Sequence, residues 1–389
     1  MKKFLAFLLV AVLLISMMGS VVSASASDFA SGKDIAKRNE INVAKYADSF
    51  VESIYPKSEY TTGDVTTMYN EDDAISGYCI DIMIGTTPNG YVVVKFVDNN
   101  PVVSEFCLEP RITNPYKEII KHFDVKSENL RYYSIGPNEY HVCDLTNGKV
   151  LGFSNDVVNV SDFESYKNAV KQYKVKMASQ TEEASRDGEE YLNYSSLDGW
   201  SVVSDNYTGS VKSSHTITGA GSLTYYCSPD VSAIGETYAC SIVALCNLMR
   251  YYRSRGFTQI SSSFDTLYDT MWSYAGTDAE GSTTNGDEAP AAERYLDELG
   301  YNCSYNDYWL DLYANFKSDL NKNRPCLFTY GAIFDGDKGG HATLAVGFVH
   351  TSSYKYLQIA DGWNSYLRYI NFNGYDYSRV DGWAFTLSN

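Results

Sequence analysis

The sequence lacks the features that would place it in several common classes of protein. Only five of its 389 residues are histidine, and no two cysteines are spaced as CxxC, which argues against a structural zinc site. Low-complexity segments, collagen-like composition and internal repeats are also absent. Because 44% of the residues are hydrophobic, the chain is too apolar to be disordered as a whole. Its length allows about two domains.

Positive charge is scarce. The chain has 31 Lys and Arg against 48 Asp and Glu, so its formal net charge is −17. Nucleic-acid phosphates would be repelled by such a surface, which excludes nucleic acid as an expected partner. Nothing in the sequence calls for a cofactor or a metal ion.

The N-terminus has the pattern of a secretory signal peptide over residues 1–26. Lys2 and Lys3 precede an apolar run from Phe4 to about Val22, and an A-x-A site follows at 24–26. An uncleaved anchor is the alternative, but the A-x-A site favours cleavage. No later stretch is long and apolar enough to span a bilayer. We therefore expect a secreted protein with no membrane attachment after cleavage.

The cysteines do not by themselves predict a disulfide framework. Secretion would permit disulfides, but a core of this size does not require them, so the pairing stays open. The eight cysteines are scattered along the chain, at Cys79, Cys107, Cys143, Cys227, Cys240, Cys246, Cys303 and Cys326.

Two units and a linker are predicted after the signal peptide. Residues 27–176 alternate helix-type and strand-type segments, which predicts an α+β unit with a mostly antiparallel sheet. Residues 177–200 are acidic and poor in apolar side chains, as expected of an exposed, protease-sensitive linker. Residues 201–389 contain helix-type segments first and strand-type segments later, which is again α+β.

Cys240 is the candidate nucleophile. It begins a segment that is apolar almost all round and extends to about Tyr252, which predicts a buried helix. At a helix start, the unpaired N–H groups and the positive end of the dipole favour the thiolate. A thiolate is the form that attacks carbonyl carbon. Cys246 lies deeper in the same helix and is interpreted as core. A cysteine at a helix start is more often structural, unless a base accompanies it.

His341 is the candidate base. It follows Gly339 and Gly340 and begins an apolar strand, a setting that the other four histidines lack. An imidazole base also needs an orienting group. Asp361 and Asn364 flank Trp363 just after the next strand-type segment, so either could hold the ring while the tryptophan shields it. A simple Asp-Gly turn is the alternative.

These three segments, in this order, resemble the papain-like cysteine peptidases, in particular short bacterial forms of the streptopain, staphopain and bacteriocin-processing types. The resemblance rests on Cys240 at the start of an apolar helix, on Gly340-His341-Ala342 and on Asp361-Gly362-Trp363. It covers about residues 220–389 and extends to the Arg324-Pro325 strand entry and the final strand at 380–385. The first unit is similar, more loosely, to the pro-segments of streptopain-like zymogens.

The resemblance implies a papain-like α+β catalytic domain preceded by an α+β pro-domain. It implies that Cys240, His341 and Asp361 are the catalytic residues and that the substrate is a protein or peptide. The pro-domain would act as an intramolecular inhibitor and be released by cutting in the linker. The expected protein is a secreted cysteine endopeptidase made as a zymogen.

One position departs from the family pattern. Papain-like enzymes usually carry a glutamine six residues before the nucleophile as an oxyanion donor, and here that residue is Ile234. Glu236 would oppose an oxyanion, so Thr237 or another donor would have to substitute. Loss of one donor costs about a hundred- to a thousandfold in rate. Two alternatives therefore stay open: a degenerate papain-like fold that binds carbohydrate or protein, and a transglutaminase-like acyltransferase, whose cysteine and histidine are usually much closer in sequence.

Overall fold

The computed structural model describes residues 26–56, 59–135, 139–152, 157–178, 192, 194–198, 201–284, 286–308, 312–334, 337–374 and 380–388. The signal peptide (apart from Ala26) and most of the predicted linker lie outside these residues, so the expectations about them stay predictions. The described part of the linker is not exposed throughout, since Ser195 pairs with Phe96 and Leu197 is buried. Within the described residues, no helix is both long and apolar enough to cross a membrane.

The described helices include the one that the sequence predicted from Cys240 onwards. Those in the described part of the chain are α1 (Ala26–Ile54), α2 (Pro115–His122), α3 (Val160–Ala178), α4 (Ser228–Ile234), α5 (Cys240–Ser254), α6 (Phe264–Tyr274), α7 (Glu288–Glu298) and α8 (Leu312–Leu320). Gly300 follows α7 with a φ of 81°, a left-handed value that glycine adopts without strain.

The strands are more numerous than the sequence patterns indicated. The described strands are β1 (Tyr60–Tyr69), β2 (Ile75–Ile84), β3 (Thr87–Val97), β4 (Asn100–Cys107), β5 (Leu130–Ser134), β6 (Tyr140–Asp144), β7 (Lys149–Gly152), β8 (Val157–Asn159), β9 (Val211–Thr216), β10 (Asn302–Tyr308), β11 (Cys326–Phe334), β12 (Asp337–Thr351), β13 (Lys355–Ala360), β14 (Arg368–Asn371) and β15 (Val380–Ser388). β10 is polar and alternately exposed and β14 has only four residues, so neither has a strong apolar pattern.

The strands form one continuous sheet that crosses both predicted units. Its order is β10-β15-β11-β12-β13-β14-β4-β3-β2-β1-β5-β6-β7-β8, with β9 added beside β12. The two units meet where β14 pairs antiparallel with β4, through Tyr369 with Phe106 and Ile370 with Glu105. Only the β1–β5 contact is parallel among the described pairings.

Two apolar cores position the candidate site. The larger one surrounds α5, which is buried along most of its length between the sheet and helices α6 and α7. A second core lies under α1 and includes residues of both units. In it the rings of Phe106 and Tyr369 stack 4.5 Å apart, and Phe50 contacts Tyr356 edge-on. The β14–β4 junction is therefore packed as an interior and not as an exposed domain surface.

Candidate active site

Cys240 is the first residue of α5, as the sequence predicted, and it lies against β12. Its Sγ donates to the backbone carbonyl of Gly340 at 3.7 Å. The N-cap residue of the helix is Ala239, which makes no side-chain hydrogen bond. No capping side chain therefore occupies the first backbone N–H groups of α5. Cys246, by contrast, is completely buried one and a half turns further along the helix.

The thiol of Cys240 is protonated in this arrangement. Burial raises the thiol pKa, and the Glu288 carboxylate raises it as well. The backbone N–H groups of Ala342, Ser241 and Cys240 oppose this and lower the pKa, because they stabilise the thiolate. The sulfur therefore contacts the β12 backbone at both residues that flank His341.

His341 is buried on β12, and its Nε2 lies 2.8 Å from the backbone carbonyl oxygen of Asp361. Because a carbonyl oxygen can only accept, Nε2 must carry the proton, and the neutral ring has its lone pair on Nδ1. Burial lowers the pKa of the imidazole to about 4, against the raising effect of the Asp361 hydrogen bond. The ring is therefore neutral at neutral pH, in the tautomer that a base at Nδ1 requires.

A stack of three rings connects the cysteine segment with the histidine. The Trp363 ring lies parallel to the His341 ring, with centroids 4.8 Å apart and 1° between the planes. Tyr238, two residues before Cys240, also stacks on Trp363, with ring centroids 4.9 Å apart. Gly362 permits this packing, because its φ is +78° and an added Cβ would lie 2.7 Å from the Tyr238 hydroxyl. The shielding position predicted for Trp363 is thus the one that it occupies.

Asp361 reaches the imidazole through its backbone, while its carboxylate makes other contacts. Oδ1 accepts from the backbone N–H groups of Trp363 at 3.0 Å and Asn364 at 3.2 Å. Oδ2 pairs with Arg368 Nε at 2.9 Å. The Asn364 side-chain amide lies 3.5 Å from the same Oδ2. The expectation that the side chain of Asp361 or Asn364 orients the ring is therefore corrected. The Asp361 carboxylate holds the turn at Trp363 and Asn364, and the backbone carbonyl of Asp361 is the group that contacts His341.

Arg368 and Glu105 were not identified from the sequence. Arg368 Nη1 lies 2.8 Å from Glu105 Oε1, and both side chains are buried. Glu105 also accepts from the Tyr140 hydroxyl at 2.6 Å and from the Tyr91 hydroxyl. Each of the two residues is the single charged residue of a mainly apolar segment. Arg368 lies in Leu367–Ile370 and Glu105 in Val102–Cys107, and this pattern could have identified them.

The segment before Cys240 is fixed by α6 and does not supply an obvious side-chain oxyanion donor. The Tyr268 hydroxyl donates to the carbonyl of Thr237 at 2.6 Å and accepts from the N–H of Ala239 at 3.0 Å. Ile234 is the last residue of α4 and is apolar, and the Thr237 side chain is exposed. The backbone N–H of Cys240 is thus the donor that the helix start provides.

Glu288 is a further acidic group close to Cys240, and no sequence pattern singled it out. It is 3% exposed and accepts from the Ser241 hydroxyl at 3.1 Å and from the Gly286 N–H at 2.9 Å. Burial raises the pKa of this carboxyl group. Its charge state therefore bears directly on the thiol, because Ser241 adjoins Cys240.

A cleft of about 270 Å³ lies between the two units at the turn after β13. It is lined from both sides, by Ile112, Glu118, Ile119, His122, Phe123 and Gly152 of the first unit and by Cys227, Pro229, Trp363, Asn364, Ser365 and Tyr366 of the second. Trp363 thus contacts the imidazole and also faces the first unit across this cleft.

The described residues contain no cluster of His, Cys, Asp and Glu that could hold a metal ion. The eight cysteines, all of which lie in the described part of the chain, form no disulfide.

Comparison with known proteins gives similarities to solved structures only. No family model and no curated protein matches the chain. It is similar to active interpain A, a cysteine protease of Prevotella intermedia, at 15% identity and a TM-score of 0.31 over 43% of this chain and 94% of the other. It is also similar to a fragment of prointerpain A from the same organism, at 10% identity and a TM-score of 0.40 over 82% of this chain and 97% of the other. Similarities this distant do not assign a function, which has to be argued from the site.

Proposed function

We propose that the chain is a cysteine endopeptidase in which Cys240 is the nucleophile and His341 the base. One observation carries the proposal. The Cys240 sulfur, at the first turn of α5, contacts the backbone of the two residues that flank His341 on β12. The Asp361 carbonyl fixes the tautomer of the His341 ring. A nucleophile, a base and an orienting group are the parts that acyl transfer needs.

The reaction uses these parts in two steps. Nδ1 of His341 takes the thiol proton as Sγ attacks the peptide carbonyl, and the same proton then passes to the leaving amine as the C–N bond breaks. Water, deprotonated by His341, hydrolyses the thioester and restores the thiol. The Cys240 backbone N–H stabilises the oxyanion at the start of α5, where the helix dipole adds to it.

The protein is proposed to be a secreted zymogen whose first unit inhibits it intramolecularly. Support for the inhibitory role comes from the cleft, where the first unit covers the turn that carries Trp363. The neutral thiol and neutral imidazole described above also suit a resting form. The signal peptide and the protease-sensitive linker remain sequence predictions, and they supply the expected route of export and maturation.

Cys240→Ala is the test of the nucleophile, and Cys246→Ala is its matched control on the same helix. Full-length protein and protein nicked in the linker are assayed for casein hydrolysis and for iodoacetamide labelling at mildly acidic pH. Cys240→Ala is expected to abolish hydrolysis, a loss of at least about a thousandfold, and to remove the labelled peptide. Cys246→Ala, a small core truncation, is expected to retain both.

Three results would overturn the proposal. Hydrolysis that survives Cys240→Ala would remove the nucleophile assignment. Exchange of glutamine side chains onto amines without peptide cleavage would favour the transglutaminase-like alternative. A folded wild type with neither reaction, before and after nicking, would favour a binding module.

A further inference from the structure

Arg368 is a buried charged side chain whose partners tie the candidate site to the rest of the fold. It is the first residue of β14, it is 0% exposed, and its guanidinium lies between the carboxylates of Asp361 and Glu105. We propose that Arg368 is a positioning residue for His341, acting through the charge of Asp361. The inference rests on the proposed function of the site and adds a residue to it.

Asp361 can connect Arg368 with His341 because its carboxylate and its backbone carbonyl make different contacts. Its carboxylate accepts hydrogen bonds from the backbone N–H groups of Trp363 and Asn364, which form the turn. Its backbone carbonyl accepts a hydrogen bond from His341 Nε2. The same turn places Trp363 on the imidazole. A change in the charge of the carboxylate therefore alters both contacts that hold the ring.

The carboxylate depends on Arg368 to remain ionised. Asp361 is 0% exposed, and burial raises the pKa of its carboxyl group while Arg368 opposes that rise more than the backbone hydrogen bonds do. Without the guanidinium, an isolated buried carboxylate would take up a proton. A protonated carboxyl is a weaker acceptor for the two N–H groups, so the turn would loosen and its carbonyl would move away from Nε2.

The position of Arg368 is itself set from two sides. Glu105 pairs with the opposite end of the guanidinium and is fixed by the hydroxyls of Tyr91 and Tyr140. The planar fork of arginine can contact two carboxylates at once, which a lysine ammonium at the end of a flexible stem does less well. The first unit therefore contributes, through Glu105, to the geometry of the turn that holds His341.

The experiment measures the imidazole directly in the full-length chain. Nitrogen NMR of ¹⁵N-histidine-labelled protein resolves only five residues, and His341→Gln assigns the signal. In the wild type we expect a neutral ring with the proton on Nε2 that titrates near pH 4. In Arg368→Met we expect a mixture of tautomers and a kcat for peptide hydrolysis reduced about tenfold or more at unchanged KM. The titration moves towards pH 6.5 in any case, because the Arg368 charge itself lowers the pKa of the imidazole, so the tautomer is the deciding readout.

Arg324→Met is the matched control. It removes an arginine that pairs with another buried carboxylate, Asp319, at 2.9 Å, so it also leaves a buried acid with one partner fewer. A general loss of stability would affect both variants, whereas only Arg368→Met should change the His341 tautomer. An unchanged His341 tautomer in folded Arg368→Met would overturn the inference.

A double variant decides the case in which Arg368→Met does not fold. Asp361→Asn with Arg368→Met removes both charges and keeps an oxygen acceptor for the turn. Because a neutral amide, like a protonated carboxyl, is a weaker acceptor than a carboxylate, the inference requires a mixture of His341 tautomers in this pair as well, and the wild-type tautomer in a folded protein would contradict the inference. If the wild-type ring has the expected signature but the protein cleaves no peptide, the proposed function fails and the positioning of His341 by Arg368 stands.

Discussion

Each half of the molecule places a histidine near a cysteine, and the surroundings of the two imidazoles differ. His141 and Cys143 lie two residues apart on β6, so their side chains share one face of the first unit's sheet. His341 lies on β12 beside Cys240 in the second unit. Burial lowers the pKa of both imidazoles to about 4. Burial and the presence of a thiol therefore do not distinguish the two pairs.

The neighbours of each ring make the difference. The His141 ring packs against Phe163 and Tyr166, and its Nε2 has no hydrogen-bond partner among the described residues. His341 has a carbonyl acceptor that fixes its tautomer and a parallel tryptophan that fixes its plane. Its cysteine partner begins a helix, while Cys143 lies within a strand. What makes the second pair a candidate site is thus the fixed orientation of its groups.

Substituting the two histidines gives the largest expected contrast. His341→Gln should reduce peptide hydrolysis about a hundred- to ten-thousandfold, because the base at Nδ1 is lost. His141→Gln should leave kcat and KM unchanged and affect only the free energy of unfolding. Both variants are assayed for kcat/KM after circular dichroism has shown that they are folded. Equal losses of activity in the two variants would mean that the comparison fails and that His341 acts through stability alone.

The turn at Gly362 offers the next largest effect. Gly362→Ala places a Cβ 2.7 Å from the Tyr238 hydroxyl at a φ of +78°, so the three-ring stack must shift. Gly300→Ala is the matched control, since its φ is +81° and the added Cβ meets nothing within 4 Å. Each should lose about 1–2 kcal/mol of stability from the left-handed backbone alone.

Activity separates these two glycine variants. A displacement of about 1 Å at the imidazole is expected to reduce kcat/KM about a hundredfold in Gly362→Ala, whereas Gly300→Ala should keep wild-type kcat/KM. Thermal unfolding and hydrolysis are measured on the same samples. Wild-type activity in Gly362→Ala would show that the Trp363 turn can move without consequence for His341.

The parts of this arrangement that depend on a short stretch of sequence could be predicted, and those that depend on distant contacts could not. The helix start at Cys240, the strand at His341 and the turn with Trp363 each carry a local signature. The helix and the turn lie where the sequence placed them, whereas β12 begins at Asp337 and not at His341. The hydrogen bond from His341 to the backbone of Asp361 has no such signature, because any residue has a carbonyl.

The pairing of Arg368 with Glu105 could not be derived from the sequence either. It joins positions 263 residues apart and depends on β14 lying beside β4, a register that no pattern within a four-residue strand specifies. A lone charge within each strand was visible, but its partner was not. Contacts between distant strands are set by the whole sheet, so the electrostatic support of the site emerges only with the fold.

Acid stability tests the feature that the two histidines share, which is an imidazole pKa lowered by burial. Between pH 6.5 and about 4 an unfolded imidazole binds a proton that the buried one does not, so the free energy of unfolding must fall as the pH is lowered through this range. Each ring contributes up to about 3 kcal/mol to that fall. Urea unfolding at pH 7 and pH 4.5 should therefore show a weaker pH dependence in His141→Gln and in His341→Gln, and the weakest in the double variant. The exposed His122→Gln is the control, and a pH dependence that none of these changes alters would mean that neither ring is buried in its neutral form.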